Sequence, residues 1–135
     1  MRLKKYSGIV LIVLLTIISS CQRDEKRAIQ RAELFLYSYF KVDLEKMSEF
    51  CLPSFGDELK LSLKTVDTLD DEVKEMIIKQ TSDIKFEIKK VQKTKIKDSL
   101  VLTYQVLIPG YPADKDYRVS LVKRDKEWKV AALGI

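Results

Sequence analysis

The thiol of Cys21 is the group in this 135-residue chain whose sequence setting most directly indicates chemistry. It follows a start with three basic residues and an apolar run (9–18), and the two residues between are Ser19 and Ser20. The apolar run falls short of the ~20 residues that span a bilayer. A basic start, a short apolar run and small residues before a cut are typical of a secretory signal. The pattern therefore predicts a secretory signal peptide at the start of the chain.

Residues 18–21, Ile-Ser-Ser-Cys, resemble the lipobox of bacterial lipoproteins, in which one aliphatic and two small residues precede an invariant cysteine. The resemblance implies a signal peptide over residues 1–20 that is cleaved between Ser20 and Cys21. It also implies that the Cys21 thiol carries a diacylglycerol thioether and that its amine, freed by cleavage, is acylated with a chain such as palmitate. Two or three acyl chains anchor a protein firmly, so no membrane-spanning segment is needed. The alternative is an uncleaved helical anchor with an incidental cysteine. The lipobox predicts a protein held in the bacterial cell envelope, with the membrane as its partner through the lipid.

The residues after Cys21 form a candidate export signal: Gln22, Arg23, Asp24 and Glu25. They resemble the signal of surface lipoproteins in Bacteroidota, where glutamine, a basic residue and acids follow the cysteine. Gln22 is not aspartate, so the inner-membrane retention rule known from proteobacteria is not met. The resemblance favours the outer membrane, including its exposed surface. The alternative is an ordinary solvated tether over residues 21–26 that leads into a helix.

Charge and composition exclude several classes of function. The chain has 25 basic and 20 acidic residues, and the signal holds three of the basic ones, so the mature part carries a net charge of +2. That charge is not the footprint of a nucleic-acid-binding protein. Histidine is absent, which removes the commonest general base and metal ligand. We expect no cofactor and no metal, and we expect Cys51 to be a small buried hydrophobe rather than a reactive thiol or an intermolecular link.

The first half of the chain shows helical spacing. An amphipathic helix is predicted from about Asp24 to Phe40. Asp43 is expected to cap a second, short helix, which Pro53 and Gly56 end. Further helical pieces follow, and Thr68 is expected to cap the last of them. The residues predicted to face inward are Ala28, Ala32, Phe35, Leu36, Tyr39 and Phe40 on the first helix, and Val73, Met76 and Ile77 on the last.

After residue 83 the apolar period changes to two, which is typical of strands with one dry face. Four strands are predicted, with these residues facing inward: Ile84, Phe86 and Ile88; Leu100, Leu102, Tyr104, Val106 and Ile108; Tyr117, Val119 and Leu121; Trp128, Val130 and Ala132. The short link "RDKE" (124–127) makes the last two strands a hairpin. Helices followed by strands predict an α+β fold, in which N-terminal helices pack on one face of a curved antiparallel sheet of about four strands.

Two segments resemble the nuclear transport factor 2-like (cystatin-like) superfamily. "RAELFLYSYFKVDLEKMSEFCLP" (31–53) is similar to its opening helices, and "VSLVKRDKEWKVAALGI" (119–135) is similar to its closing hairpin. The nearest resemblance is to small bacterial lipoproteins whose domain has no assigned function. It implies a single domain over residues 27–135, with helices and sheet forming a cone. Lys126 stands where the family's turn often has glycine, and because lysine resists positive φ we expect a turn of another type.

Two classes of function follow for this domain. The first is a non-enzymatic module that binds a small molecule or a protein; a deep polar pocket favours the former, and a filled cone favours the latter. The candidate pocket residues, for which ordinary packing is the alternative, are Tyr37, Tyr104, Gln105 and Tyr117. The second class is an enzyme of the isomerase or dehydratase type, which needs a buried carboxylate such as Asp43 or Glu87. Asp43 reads better as a helix cap and Glu87 as a solvent-facing residue, so no catalytic residue is predicted.

Charge is segregated along the chain. Residues 57–83 hold eight acids and four lysines, a net charge of −4, whereas residues 85–97 hold six lysines and one glutamate, a net charge of +5. The basic segment could meet anionic lipid headgroups. The alternative is a solvated strand face that discourages edge pairing. The partners expected are therefore the membrane and an unknown protein or small molecule, and not nucleic acid.

Overall fold

Helix α1 spans residues 23–40 in the computed structural model, which describes residues 23–113 and 115–135. The predicted helix is confirmed, and the last four residues of the expected tether (23–26) are already helical. The predicted signal peptide, the cleavage site at Ser20 and Cys21, and Gln22 lie outside the described residues. The fully buried residues of α1 are four from the predicted stripe: Ala28, Ala32, Phe35 and Leu36.

Three shorter helices follow α1. They are α2 (Leu44–Glu49), α3 (Pro53–Ser62) and α4 (Asp71–Gln80), with a 3-10 turn at Lys64–Thr68 before α4. The Asp43 carboxylate accepts a hydrogen bond from the Lys46 backbone N–H at 3.3 Å. This bond satisfies one of the free N–H groups at the start of α2 and confirms Asp43 as its N-cap.

The expectation that Pro53 and Gly56 end a helix is wrong. Pro53 is the first residue of α3, where the missing N–H of proline costs nothing, and Gly56 lies inside that helix. A Cβ atom on Gly56 would lie 3.4 Å from the Ser48 Cβ and 3.5 Å from the Cys51 Cβ. These are ordinary van der Waals distances, so α3 packs near α2 and Cys51 at this point without requiring a glycine.

Helix α4 differs from the prediction in its cap and in its exposed side. Its N-cap residue is Asp70. Thr68 is the last residue of the 3-10 turn before α4, and its hydroxyl donates to the Thr65 carbonyl of that turn. None of its residues is buried. Val73 and Met76 were expected to face inward but are exposed, and Ile77 is half-buried. A period of 3.6 identifies an apolar side of a helix but does not say whether another element covers it.

The second half of the chain forms a four-stranded antiparallel sheet in the order β1-β2-β3-β4. The strands are β1 (Lys85–Lys93), β2 (Ser99–Leu107), β3 (Asp116–Arg124) and β4 (Glu127–Gly134). Helix α1 lies against the face that carries the predicted inward residues of β2, and the Tyr104 hydroxyl donates to the Ile29 carbonyl at 3.4 Å. The α+β class is confirmed. The predicted inward residues that are buried in the sheet are Leu100, Leu102, Tyr104, Val106, Val119, Leu121, Trp128 and Val130.

Two irregularities change which residues face the helices. A bulge in β1 follows Ile88, and this edge strand is exposed along most of its length, so Ile88 is exposed rather than inward-facing. A second bulge leaves Ala131 without a paired residue in β3. Because one extra residue reverses the alternation, Leu133 packs against the core and the predicted Ala132 is exposed.

The turn between β3 and β4 corrects the expectation for Lys126. Asp125 has a φ of 52° and Lys126 a φ of 67°. Positive φ at both central residues is the pattern of a type I′ turn, whose twist matches that of the flanking strands. The hairpin therefore keeps the turn that its strands require and places a lysine in a conformation that glycine adopts more easily.

Candidate functional site

The first turn of α1 is joined to the sheet through the carboxylate of Asp24. Lys123 Nζ donates to Asp24 Oδ1 at 2.8 Å, and Trp128 Nε1 donates to the same oxygen at 3.2 Å. Lys123 and Trp128 are paired residues of β3 and β4. Burial disfavours the charged carboxylate, but the two hydrogen bonds and the charges of Lys123 and Arg27 outweigh it. The pKa of Asp24 is therefore lowered from its ordinary value.

The loop between β1 and β2, residues 94–98, lies beside this turn of α1. Its backbone is tied to β3 by a hydrogen bond from the Lys123 N–H to the Asp98 carbonyl at 2.8 Å. Within the loop, Thr94 Oγ1 accepts from the Ile96 N–H (3.2 Å) and donates to the Ile96 carbonyl (3.3 Å). These bonds order the loop and leave the Ile96 side chain 70% exposed at its tip.

An open pocket of about 260 Å³ separates α1 from this loop, and its lining includes Asp24, Lys93, Ile96, Lys97 and Trp128. The turn between β3 and β4 lies at the same end of the antiparallel sheet. We call residues 23–27, 93–98 and 123–127 together the basal end of the domain. Its chemistry is that of lysine, arginine and carboxylate groups around one exposed isoleucine, which suits electrostatic contact rather than bond-making.

Three of the four candidate export residues lie in α1, and one of them, Asp24, joins this helix to the sheet. Arg23, Asp24 and Glu25 are all helical. The local sequence indicates Asp24 as a candidate export residue, a tether residue or the start of a helix, but it does not indicate the contact with Trp128, which is 104 positions away. One signal could have indicated the contact: the N–H of a buried tryptophan usually finds a hydrogen-bond acceptor.

The four candidate pocket residues do not surround a common pocket. Tyr104 is fully buried, and burial, with the nearby charge of Glu33, raises the pKa of its hydroxyl. Tyr117 is its paired neighbour on β3 and packs edge-on against Phe40, with ring centroids 5.4 Å apart. For these two tyrosines, ordinary packing is therefore what the structure shows.

The other two candidates point away from that core. Gln105 follows Tyr104 on β2, so alternation places it on the opposite face of the sheet. Its Nε2 donates to the Ala113 carbonyl at 2.9 Å and so holds the loop after β2. Tyr37 is exposed on α1, with Lys41 Nζ 4.1 Å from the centroid of its ring.

The carboxylates named for the enzymatic alternative are both exposed. Asp43 caps α2, and Glu87 accepts an ion-pair contact from Lys89 Nζ at 3.1 Å. The enzymatic alternative needs a buried carboxylate, and both of these side chains face solvent. Glu33, which helical spacing places beside the apolar stripe of α1, is half-buried, and burial raises its pKa. Of these three carboxylates, Glu33 is the one whose setting fits the alternative best.

Cys51 is buried between α2 and β4, as predicted. Its Sγ–H donates to the Met47 carbonyl at 3.3 Å. The flanking backbone pairs with β4: the Leu52 N–H donates to the Val130 carbonyl (2.9 Å), and the Val130 N–H donates to the Phe50 carbonyl (2.8 Å). Burial, only partly offset by a nearby lysine, raises the pKa of the Cys51 thiol to about 12. A thiol with this pKa is protonated and unreactive at neutral pH.

Comparison of the sequence with protein-family models gives no match, and comparison with curated proteins gives none either. Across residues 23–113 and 115–135, no helix has the length and apolarity needed to cross a membrane. In the same part of the chain, no three cysteine, aspartate or glutamate side chains lie close enough together to hold a metal ion.

Proposed function

We propose that the protein is a bacterial lipoprotein of the cell envelope whose single domain binds a partner protein and does not catalyse a reaction. The anchor is supported by the signal-type residues 1–20 and by the motif that ends at Cys21. A nuclear transport factor 2-like domain is supported by helices followed by a four-stranded antiparallel sheet. Residues 22–25 favour the outer membrane and its exposed surface.

A filled interior favours a protein over a small molecule as the ligand. No buried side-chain nitrogen or oxygen in the described part of the chain lacks a hydrogen-bond partner, so the interior offers no polar group for a ligand. Recognition then falls to the outer surface. The fully buried side chains that occupy the space between the helices and the sheet include Phe35, Leu36, Met47, Leu102, Tyr104 and Leu121.

The exposed apolar side chains of α4 are the observation that carries the proposal. Val73 and Met76, three residues apart on one side of α4, are 39% and 58% exposed. Ile78 on the other side of the helix is 51% exposed, and Leu61 of α3 is 73% exposed. All four lie in the acidic segment 57–83. Large exposed apolar side chains rimmed by charge are typical of a surface that meets another protein. The negative sign of that charge indicates a partner with a basic binding face.

Photocrosslinking in cells tests this assignment with the full-length protein. A photoreactive residue at Met76 is expected to capture a basic protein. The same residue at Arg118, which is exposed on the face of the sheet opposite the helices, serves as the control and is expected to capture nothing. Equal capture at both positions, or none at Met76, would contradict the proposal.

Activity assays and native mass spectrometry of the purified protein test the enzymatic alternative. We expect no turnover by the purified protein and no small molecule that co-purifies with it in native mass spectrometry. Turnover of any substrate that disappears in Glu33→Gln, Asp43→Asn or Glu87→Gln would overturn the proposed function.

A further inference from the structure

We propose that the basal end of the domain docks on the anionic headgroups of the bilayer that holds the lipid anchor, with the Ile96 side chain inserted among them. This inference rests on the proposed lipidation of Cys21. It adds a second membrane contact, made by the folded domain, and it fixes how the domain stands on the membrane.

The distance from the anchor to the domain is short. Helix α1 includes Arg23, which lies two residues after Cys21. Two residues of extended chain reach at most ~7 Å. The basal end, which includes residues 23–27 of α1, is therefore held within contact distance of the headgroups, and the loop after β2, at the other end of the sheet, points away from them.

The charge of the basal end complements an anionic surface. It carries nine basic and five acidic side chains, a net charge of +4, whereas the rest of the mature chain has a net charge of −2. The attraction of basic residues to anionic lipid acts over about one Debye length, roughly 8–10 Å at physiological ionic strength. The short link to the anchor keeps these residues inside that range.

Hydrogen bonds order the loop that carries Ile96 and fix its position relative to α1 and the sheet. Lys95, Ile96 and Lys97 are all exposed, and Ile96 alone among them is apolar. The Thr94 hydroxyl closes the loop on the Ile96 backbone, and Asp98 ties it to β3. Asp24 fixes the start of α1 to β3 and β4. The anchor, the lysines and the isoleucine therefore belong to one ordered unit. The competing account is a lysine-rich loop that stays in water.

A fluorescent probe on the full-length lipidated protein tests the docking. Ile96→Cys carries an environment-sensitive fluorophore, and Tyr111→Cys, in the exposed loop after β2 at the far end of the sheet, is the matched control. Cys51 is buried and protonated, so it does not compete for the label. The protein is reconstituted in vesicles of phosphatidylcholine mixed with phosphatidylglycerol and in vesicles of phosphatidylcholine alone.

We expect a blue shift and quenching by nitroxide-labelled lipid for the Ile96 probe in the anionic vesicles, and solvent-like emission for the Tyr111 probe. Adding Lys95→Glu and Lys97→Glu is expected to abolish the shift. Flotation of the vesicles in high salt reports the lipid anchor separately. A protein that does not float contradicts the proposed lipidation and the docking with it. A protein that floats while its Ile96 probe emits as in water overturns the docking surface alone.

Discussion

At the scale of single residues, Asp24 has two assignments that compete. The sequence places it in a candidate export signal, whereas its carboxylate accepts hydrogen bonds from Lys123 and Trp128. Trp128 is almost fully buried. Its N–H therefore depends on Asp24 for a partner, and leaving a buried donor unpaired costs about 1–3 kcal/mol. Stability measurements separate this structural function from export.

Asp24→Ala is expected to lower the free energy of unfolding by about 1–3 kcal/mol, because it leaves Trp128 Nε1 without an acceptor. The measurement is chemical denaturation of the purified protein. Glu25→Ala is the matched control: it removes the same charge from the same turn of α1, and it is expected to change stability by no more than about 0.5 kcal/mol. Equal losses in both variants would contradict the contact.

The same pair has a defined pH dependence. The pKa of Asp24 is lower in the folded chain than in the unfolded chain. Its contribution to stability is therefore fully present above the ordinary aspartate pKa of about 3.9 and is lost as pH falls through the lowered value. The difference in melting temperature between wild type and Asp24→Ala is expected to shrink in that acidic range and to stay constant near neutral pH.

Trp128→Ala is expected to cost about 3–5 kcal/mol, which is much of the stability of a small domain. The physical reason is the cavity left beneath α1 where the indole packs. Folded wild-type protein is expected to show the blue-shifted fluorescence of a buried tryptophan. Solvent-like emission together with an unchanged melting temperature in the variant would contradict this packing.

At the scale of elements, periodicity in the sequence predicts α1 and β2 well. It fails where the burial of a residue depends on packing against another element or on an irregular strand pairing. The spacing in α4 is that of an amphipathic helix, yet none of its residues is buried. The local sequence does not indicate whether another element packs against this helix. Ala132 and Leu133 exchange faces because a bulge adds one residue to β4. The Asp24–Trp128 contact joins the two ends of the domain, and local patterns carry no information on such pairs.

Lys126→Gly is expected to stabilise the domain by about 0.5–1 kcal/mol, because glycine adopts positive φ without the strain of a Cβ atom. Arg124→Gly is the matched control at the last residue of β3, where the backbone is extended. There glycine is expected to destabilise by about 0.5–1 kcal/mol. Thermal melts of the two variants are expected to shift in opposite directions, and shifts of the same sign would contradict the type I′ turn.

Replacement of the export residues is informative only if Asp24 is kept. If residues 22–25 are an export signal, alanine at Gln22, Arg23 and Glu25 is expected to hold the protein on the inner leaflet of the outer membrane, while the contact between Asp24 and Trp128 remains. Protease treatment of intact cells measures the change as lost accessibility. Unchanged accessibility would mean that these residues are an ordinary tether and not an export signal.

At the scale of the whole molecule, charge distinguishes two surfaces of the domain. The basal end is basic and would adjoin the proposed anchor, whereas the segment 57–83 is acidic and exposes apolar side chains. An anchored protein with this arrangement presents the acidic surface to a partner while its basic end rests on lipid. The membrane docking and the proposed location depend on one covalent event, the lipidation proposed at Cys21.

The intact mass of the protein purified from membranes tests that event most directly. We expect a chain that begins at Cys21 and carries a diacylglycerol group and acylation at its amine. We also expect Cys21→Ala to remain an uncleaved precursor that takes up no labelled palmitate. A wild-type chain that begins at Met1, or a Cys21→Ala variant that still incorporates palmitate, would contradict the proposed lipidation.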